Sequence, residues 1–436
     1  MRLGVLARNL FVDWHGGSTR TNRRLLIEVA KASREFEVEL VPVVDEVYWM
    51  ARRGKVNRSV INKWTDLYED GGLSINERLL KGYVNGNLHE NPASIYAPEL
   101  NGYDVLYDPI LMPWADPRPL AQLQQIVSPF HVDLLYLKRT RGKLMALLIG
   151  AADIPLRRRW LFRFAMNYGF LRPREVAGLS LFIARSKSLL SALARFRERV
   201  LLLLPSPGVL KNVDVASEFK SATFYPFYAV DERVLSVPSS EKEDYLVFFS
   251  RGDVTKGVLE IPRILKFMRR HGCACKLKVV SGFADEGTKR AFLRLADAHG
   301  VRDLVELYGT GSYVPDECKS EMFKTVSKAL LTLNPSHADV VPNVIVESLF
   351  LRTPVVAYSI PGPYEVFKGA KAVSFVPEFN AKEMALTACD LLKRRDIDSL
   401  IDDEKTKEII ELHRDWGPIA HQFVNIVLDF CEGRLG

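Results

Sequence analysis

Asp339 and Glu347, two carboxylates eight positions apart, flank a Pro-Asn pair in the stretch Ser336-His-Ala-Asp-Val-Val-Pro-Asn-Val-Ile-Val-Glu347. Pro342 suits the first position of a helix, because its φ is fixed near the helical value and its missing N–H would have no intrahelical partner there. Asp339 then stands in the loop before the helix, and Glu347 about one turn inside it. The N–H groups of Asn343 and Val344 point out of the helix start, where the macrodipole adds roughly half a positive charge. Such an amide tip binds phosphate. One short segment thus offers Glu347 and Asp339 as acceptors for sugar hydroxyls, with a phosphate cradle between them. The plainer reading fills a core face with Val340, Val341, Val344, Ile345, Leu349 and Phe350 and leaves Asp339 as a helix cap.

A second segment weighs against the plainer reading. Tyr245–Ser250 is a continuous apolar run, as in a strand buried on both faces, and it leads into Arg251-Gly-Asp-Val-Thr-Lys-Gly257. A helical pattern with Val258, Ile261, Ile264, Leu265 and Met268 follows. Strand, turn and helix place Arg251 and Lys256 at the carboxyl end of a strand, the edge at which open α/β sheets bind ligands. Arg supplies a planar fork and Lys a mobile point charge, a combination suited to a diphosphate. Taken alone, the two would as readily be solvated surface cations.

The pair of segments resembles the retaining glycosyltransferases of family 4, which have the GT-B fold. Arg251–Gly257 is similar to their G-R-x-x-x-x-K-G turn, with Ser250 in place of the first Gly. Asp339–Glu347 is similar to their E-x7-E motif, with Asp for the first Glu and the spacing kept. Leu331–Ser336 looks like the strand and turn before that motif, Thr353–Ala357 like the strand after it, and Pro361–Glu365 like the G-G-x-x-E loop beyond. The likeness spans roughly residues 245 to 380.

The resemblance implies an α/β chain of the GT-B kind: two Rossmann-like domains facing across a cleft, with a C-terminal helix crossing back to the first. It implies a hexosyltransferase that uses a nucleoside-diphosphate sugar as donor substrate, needs no cofactor or metal, and retains anomeric configuration. Arg251, Lys256 and Asp339 would be catalytic. Asn343, Val344 and Glu347 would bind the donor, with Gly16 and Gly17 in the loop after the first strand facing its diphosphate. Arg251, Lys256 and the helix start would stabilise the leaving diphosphate, Glu347 would accept from ribose hydroxyls, and Asp339 from the donor sugar. Many family members carry a His after the strand corresponding to 143–150; here the residues are Ala151-Ala152-Asp153, and Asp153 is the candidate stand-in. Two alternatives stay open: a catalytically idle GT-B scaffold subunit, and a sugar-nucleotide epimerase of the same architecture.

A chain of 436 residues exceeds the usual size of one core, so two domains are expected. The division falls at a linker rich in Ser, Pro and charge near 236–244. It assigns 1–235 with 414–436 to an acceptor domain and 236–413 to a nucleotide-sugar domain. The five cysteines are odd in number and lie in the second half, which is no disulfide framework and points to a reducing compartment. The N-terminus reads as a first strand rather than a signal peptide, and the apolar runs 144–149 and 200–204 are far shorter than the ~20 residues of a membrane span. A cytoplasmic protein, peripheral at the inner membrane face, is the expectation. The acceptor would be a glycan or a lipid-linked molecule.

Residues 134–200 hold fifteen Lys or Arg against three Asp or Glu, a balance of +12, whereas the whole chain is +7. Within them 157–164 mixes cations with large apolar side chains. Such a segment can lie on an anionic membrane surface, or its Arg stems can cover the first domain's core. No nucleic-acid motif accompanies the charge. Elsewhere the patterns predict a helix over 24–32 and strands at 38–44, 143–150 and 181–186. Residues 45–100 are expected as a loop-rich insertion with short helices. In the second half, strands near 245, 275, 305, 330, 354 and 372 alternate with helices, the pattern of a parallel sheet covered on both faces. The last helix, 416–431, is amphipathic.

Overall fold

The computed structural model describes the chain except residues 12–16, 55, 112–130, 149–157, 171, 309–317, 395 and 436. The chain folds into two compact units. One comprises Met1–Leu161, Ala177–Tyr228 and Trp416–Gly436; the other comprises Phe162–Val176 and Ala229–Asp415.

The first unit holds the strands β1 (Arg2–Leu6), β2 (Glu37–Val41), β3 (Ser74–Ile75), β4 (Val105–Asp108), β5 (Lys143–Leu147), β6 (Val200–Leu204) and β7 (Lys220–Thr223). They form one sheet in the order β3-β2-β1-β4-β5-β6-β7, every pair parallel. Continuous burial along β4 and β6 reflects helices on both faces. The helix Trp416–Cys431 packs on the helix Gly17–Ala32 and buries Ile419, Phe423, Ile426, Val427 and Phe430. Each such side chain contributes roughly 1.5–3 kcal/mol by leaving water. Lys143 Nζ, 2.7 and 2.9 Å from the carbonyls of Phe430 and Cys431, caps this helix's negative end.

The second unit holds β8 (Glu243–Phe248), β9 (Lys276–Val279), β10 (Val305–Leu307), β11 (Ala329–Asn334), β12 (Val355–Tyr358) and β13 (Val373–Val376). Their order is β10-β9-β8-β11-β12-β13, again all parallel. The direction of winding reverses between β8 and β11. The loops leaving the carboxyl ends of these two strands therefore diverge to opposite faces and open a crevice, the position where doubly wound sheets take ligands.

Several expectations are corrected. Residues 181–186 are not a strand: they lie in the helix Pro173–Leu193, whose buried positions Leu179, Ile183, Ser186, Leu190 and Leu193 recur at helical spacing. The helix from Val176 to Arg199 is long and apolar enough to cross a membrane by length and composition, and one of its faces is buried at helical spacing. Residues 45–100 are mostly helical, as Glu46–Arg52, Arg58–Asp70, Glu77–Asn85 and Pro92–Leu100. Residues 162–176 and 229–235 belong to the second compact unit, not the first. Phe164 and Tyr168 carry the first of these stretches, packing their rings against His337, as does the ion pair of Arg172 with Asp285.

Candidate functional site

The reversal between β8 and β11 brings the two chemically suggestive segments together. Ser250 Oγ donates to Asn334 Oδ1 at 3.4 Å, joining the ends of the two strands, and His337 N donates to Thr255 O at 2.8 Å. Gly257 makes the approach possible. Its φ is +76°, and a Cβ there would lie 1.9 Å from the Pro335 carbonyl. Lys256 is thereby delivered onto the other loop, its Nζ 2.7 Å from Ala338 O and 2.9 Å from Asp339 Oδ2. Ser336 Oγ also reaches Asp339 Oδ2, at 3.3 Å.

Arg251 is paired through Nε with Asp253, a residue that the sequence reading passed over. Asp253 Oδ1 accepts from Thr255 Oγ1 at 2.6 Å and from Lys256 N at 2.9 Å, so one carboxylate organises the whole turn. Burial pushes its pKa up, but Arg251, Thr255 and Lys256 outweigh burial and hold it below the usual carboxylate range. The local signal for this role was present: an Asp two residues before a Thr in a Gly-flanked turn.

The helix Asn343–Phe350 starts four residues after Asp339. Pro342 is its cap rather than its first residue, since the Pro342 carbonyl already accepts from Ile345 N at 3.0 Å. Asn343 and Val344 are thus the first two helical residues, whose amides have no place in the helix ladder. Both are half-buried, and Glu347 in the second turn is buried. The segment 361–365, expected as a loop, opens the helix Pro361–Phe367. Gly362 packs against the Asp339 and Val340 carbonyls so closely that a Cβ would lie 2.8 and 2.6 Å from them. The unit therefore gathers Arg251, Lys256, Asp339, Asn343, Val344 and Glu347 on two adjoining loops and one helix start. Of the other expected residues, Gly17 begins the helix Gly17–Ala32, and Gly16 and Asp153 lie outside the described residues.

The first unit has its own reversal, between β1 and β4, with a buried charge cluster beside it. Arg8 Nη2 is 3.0 Å from Asp108 and 3.1 Å from Asp133. Burial and the neighbouring Asp108 raise the pKa of Asp133 despite Arg8. Nearby, burial pushes Asp45 up to about 6 against hydrogen bonds from Tyr48 N and Asn9 N, and burial together with Arg8 pushes His131 down to about 4. Nothing in the local sequence announces this cluster, whose members are up to 125 residues apart.

Two doubly wound parallel sheets in one chain, the second with cations, carboxylates and a helix start at its reversal, are the architecture of the GT-B fold. Residues 232–414, nearly all of the second unit's stretch Ala229–Asp415, match the family model described as glycosyl transferases group 1. Solved structures similar over nearly the whole chain include sucrose-phosphate synthase from Thermosynechococcus elongatus, at 12% identity, TM-score 0.59 and 99% coverage of both chains. HepE of Anabaena in complex with UDP and glucose is similar at 14% identity and TM-score 0.59, over 98% of this chain and 100% of that one. The E. coli trehalose-6-phosphate structure with UDP-2-fluoro glucose is similar at 12% identity and TM-score 0.59, over 99% of both chains. At these identities the likeness carries the fold. No curated protein matches the sequence.

Proposed function

We propose that this chain moves a hexosyl group from a nucleoside-diphosphate sugar to a glycan or lipid-linked acceptor at the cytoplasmic face of a membrane, with retention and without a divalent ion. The observation that carries the reading is the joining of the β8 and β11 loops through Lys256, which stands between the Ala338 carbonyl and Asp339. As the sugar–phosphate bond breaks, negative charge grows on the leaving diphosphate. Arg251, Lys256 and the amides of Asn343 and Val344 take the role that a metal takes in other phosphate chemistry. Glu347 accepts from ribose hydroxyls. A diphosphate that draws Lys256 away from Asp339 leaves that carboxylate free to accept from the donor sugar, so both exchanges proceed together. Gly362, where a Cβ would lie 2.8 Å from the Asp339 carbonyl, allows the close approach of this loop that supports the role of an Asp one methylene shorter than Glu.

The acceptor side of the reading rests on the helix Arg158–Tyr168. Phe164 and Tyr168 are buried, whereas Phe162 is 67% and Met166 66% exposed, and Phe170 just beyond is fully exposed. Apolar side chains beside the exposed Arg163 and Arg174 suit an anionic bilayer.

UDP-glucose is the first donor to test, because similar structures carry UDP. Transfer or slow donor hydrolysis is expected, undiminished by EDTA, with the product's anomeric configuration equal to the donor's by proton NMR. No turnover with any of a panel of UDP-, GDP- and ADP-sugars sinks the enzyme reading in favour of a scaffold. Inversion, or abolition by EDTA, sinks the mechanism.

A further inference from the structure

His337 is wholly buried, although its loop carries Asp339 two residues on. Its Nε2 lies 2.7 Å from the Tyr168 hydroxyl and its Nδ1 3.0 Å from Glu378 Oε1. The ring stacks on Phe379, with centroids 4.3 Å apart, and meets Phe164 edge-on at 5.9 Å. The Tyr168 hydroxyl donates to Glu260 Oε1 at 2.5 Å, and Tyr358 donates to Glu260 Oε2 at 3.1 Å. Tyr168, Glu260 and Tyr358 are all buried. Burial and Glu260 raise the Tyr168 pKa well above the ordinary phenol value, so the hydroxyl keeps its proton.

Each member comes from a different segment. Glu260 follows β8, His337 follows β11, Tyr358 ends β12 and Glu378 follows β13, so four neighbouring strand ends are tied beneath the donor loops. Tyr168 alone comes from the first half of the sequence, 169 positions from His337. Its segment is fastened to the second unit at further points: Arg172 forks onto both Asp285 oxygens at 3.1 and 2.8 Å, and Arg163 lies over the Phe379 ring at 5.1 Å. Four aromatic rings surround the imidazole, so neither ring nitrogen can turn to another partner without leaving a buried polar group unpaired.

We infer that Tyr168, His337 and Glu378 are positioning residues: the strap 162–176 keys the Ser336–Asp339 loop from below and sets the register in which Asp339 and the Ala338 carbonyl meet Lys256. This rests on the donor-site reading given above. Displacement of a binding group by about 1 Å costs on the order of 100-fold in rate, and His337, two residues before Asp339, is the side chain that ties this loop to the strap.

Tyr168→Phe and Tyr358→Phe test it as a pair. Each removes one buried hydroxyl from the same Glu260 carboxylate without changing volume, but only the first takes a partner from His337. Hydrogen exchange by mass spectrometry is expected to show faster exchange across 335–341 in Tyr168→Phe and wild-type protection there in Tyr358→Phe. In the transfer or hydrolysis assay, kcat/KM falls about 10- to 100-fold in Tyr168→Phe and less than about 3-fold in Tyr358→Phe. Glu378→Gln, which keeps an oxygen for Nδ1–H, retains most activity, whereas Glu378→Ala loses it as Tyr168→Phe does. Equal exchange and equal activity in the two tyrosine variants overturn the inference. A loop loosened only by Tyr168→Phe in a protein without turnover upholds the anchor and removes the donor-site reading instead.

Discussion

Lys256→Ala separates the chemistry of the site from its architecture. In the folded chain the ammonium makes two short contacts, 2.7 Å to Ala338 O and 2.9 Å to Asp339 Oδ2, with side chains 20% and 14% exposed. Removing it leaves the Ser336 hydroxyl, 3.3 Å from Asp339 Oδ2 and 3.1 Å from Ala338 O, with a single proton to share between the two acceptors. The stability loss is therefore about 1–2 kcal/mol, less than a fully orphaned buried charge would cost. For a unit of this size that is a fall of roughly 2–8 °C in melting temperature. Loss of one preorganised donor to the leaving diphosphate raises the barrier by about 3–4 kcal/mol, a fall of roughly 150- to 900-fold in kcat/KM. Differential scanning fluorimetry and steady-state kinetics at 25 °C read both quantities on one preparation. A variant that melts within the expected range and turns over within 5-fold of wild type refutes the diphosphate role. A collapse in melting temperature far beyond the range shows the lysine to be chiefly structural.

Three further outcomes follow from the same geometry. Gly257→Ala combines a left-handed backbone with a Cβ 1.9 Å from Pro335 O, whereas Gly272→Ala has φ +72° and no neighbour within 4 Å; the first is expected to cost about 2–5 kcal/mol and the second about 1–2 in urea unfolding, and equal losses would remove the close approach as its cause. The carboxyl of Asp133, its pKa raised by burial and Asp108, holds its proton to higher pH in the folded chain than in the unfolded one. Its contribution to stability is present below about pH 4 and fades as the pH rises through its folded value, so the wild type should lose stability relative to Asp133→Asn from about pH 4 toward neutrality; a constant difference refutes this. In vesicle flotation, the wild type should bind phosphatidylglycerol-containing but not purely zwitterionic liposomes, and Phe162→Ser with Met166→Ser and Phe170→Ser should abolish binding while leaving donor hydrolysis intact; undiminished binding by the triple variant removes this face as the docking surface.

The parts of the fold and site that could be read from sequence share a local cause. A continuous apolar run followed at once by Arg251 to Gly257 predicts a buried parallel strand with cations at its carboxyl end, and β8 with its turn is that arrangement. The misreadings are local too. The run 181–186 has the length of a strand, and only the wider window from Leu179 to Leu193 reveals its helical period; Pro342 lies one position outside the helix because its carbonyl, not its missing amide, is what the first turn uses. What could not be read is partnership. Asp253 with Arg251 was within reach, at two residues, but Lys256 with Asp339 and His337 with Tyr168 depend on which strands lie side by side, and no pattern along the chain encodes the order β9-β8-β11-β12. Burying a polar group requires a partner, yet which partner is a property of topology. In this site the order of the strands turns two motifs, each of which could be ordinary surface or core, into one charged constellation.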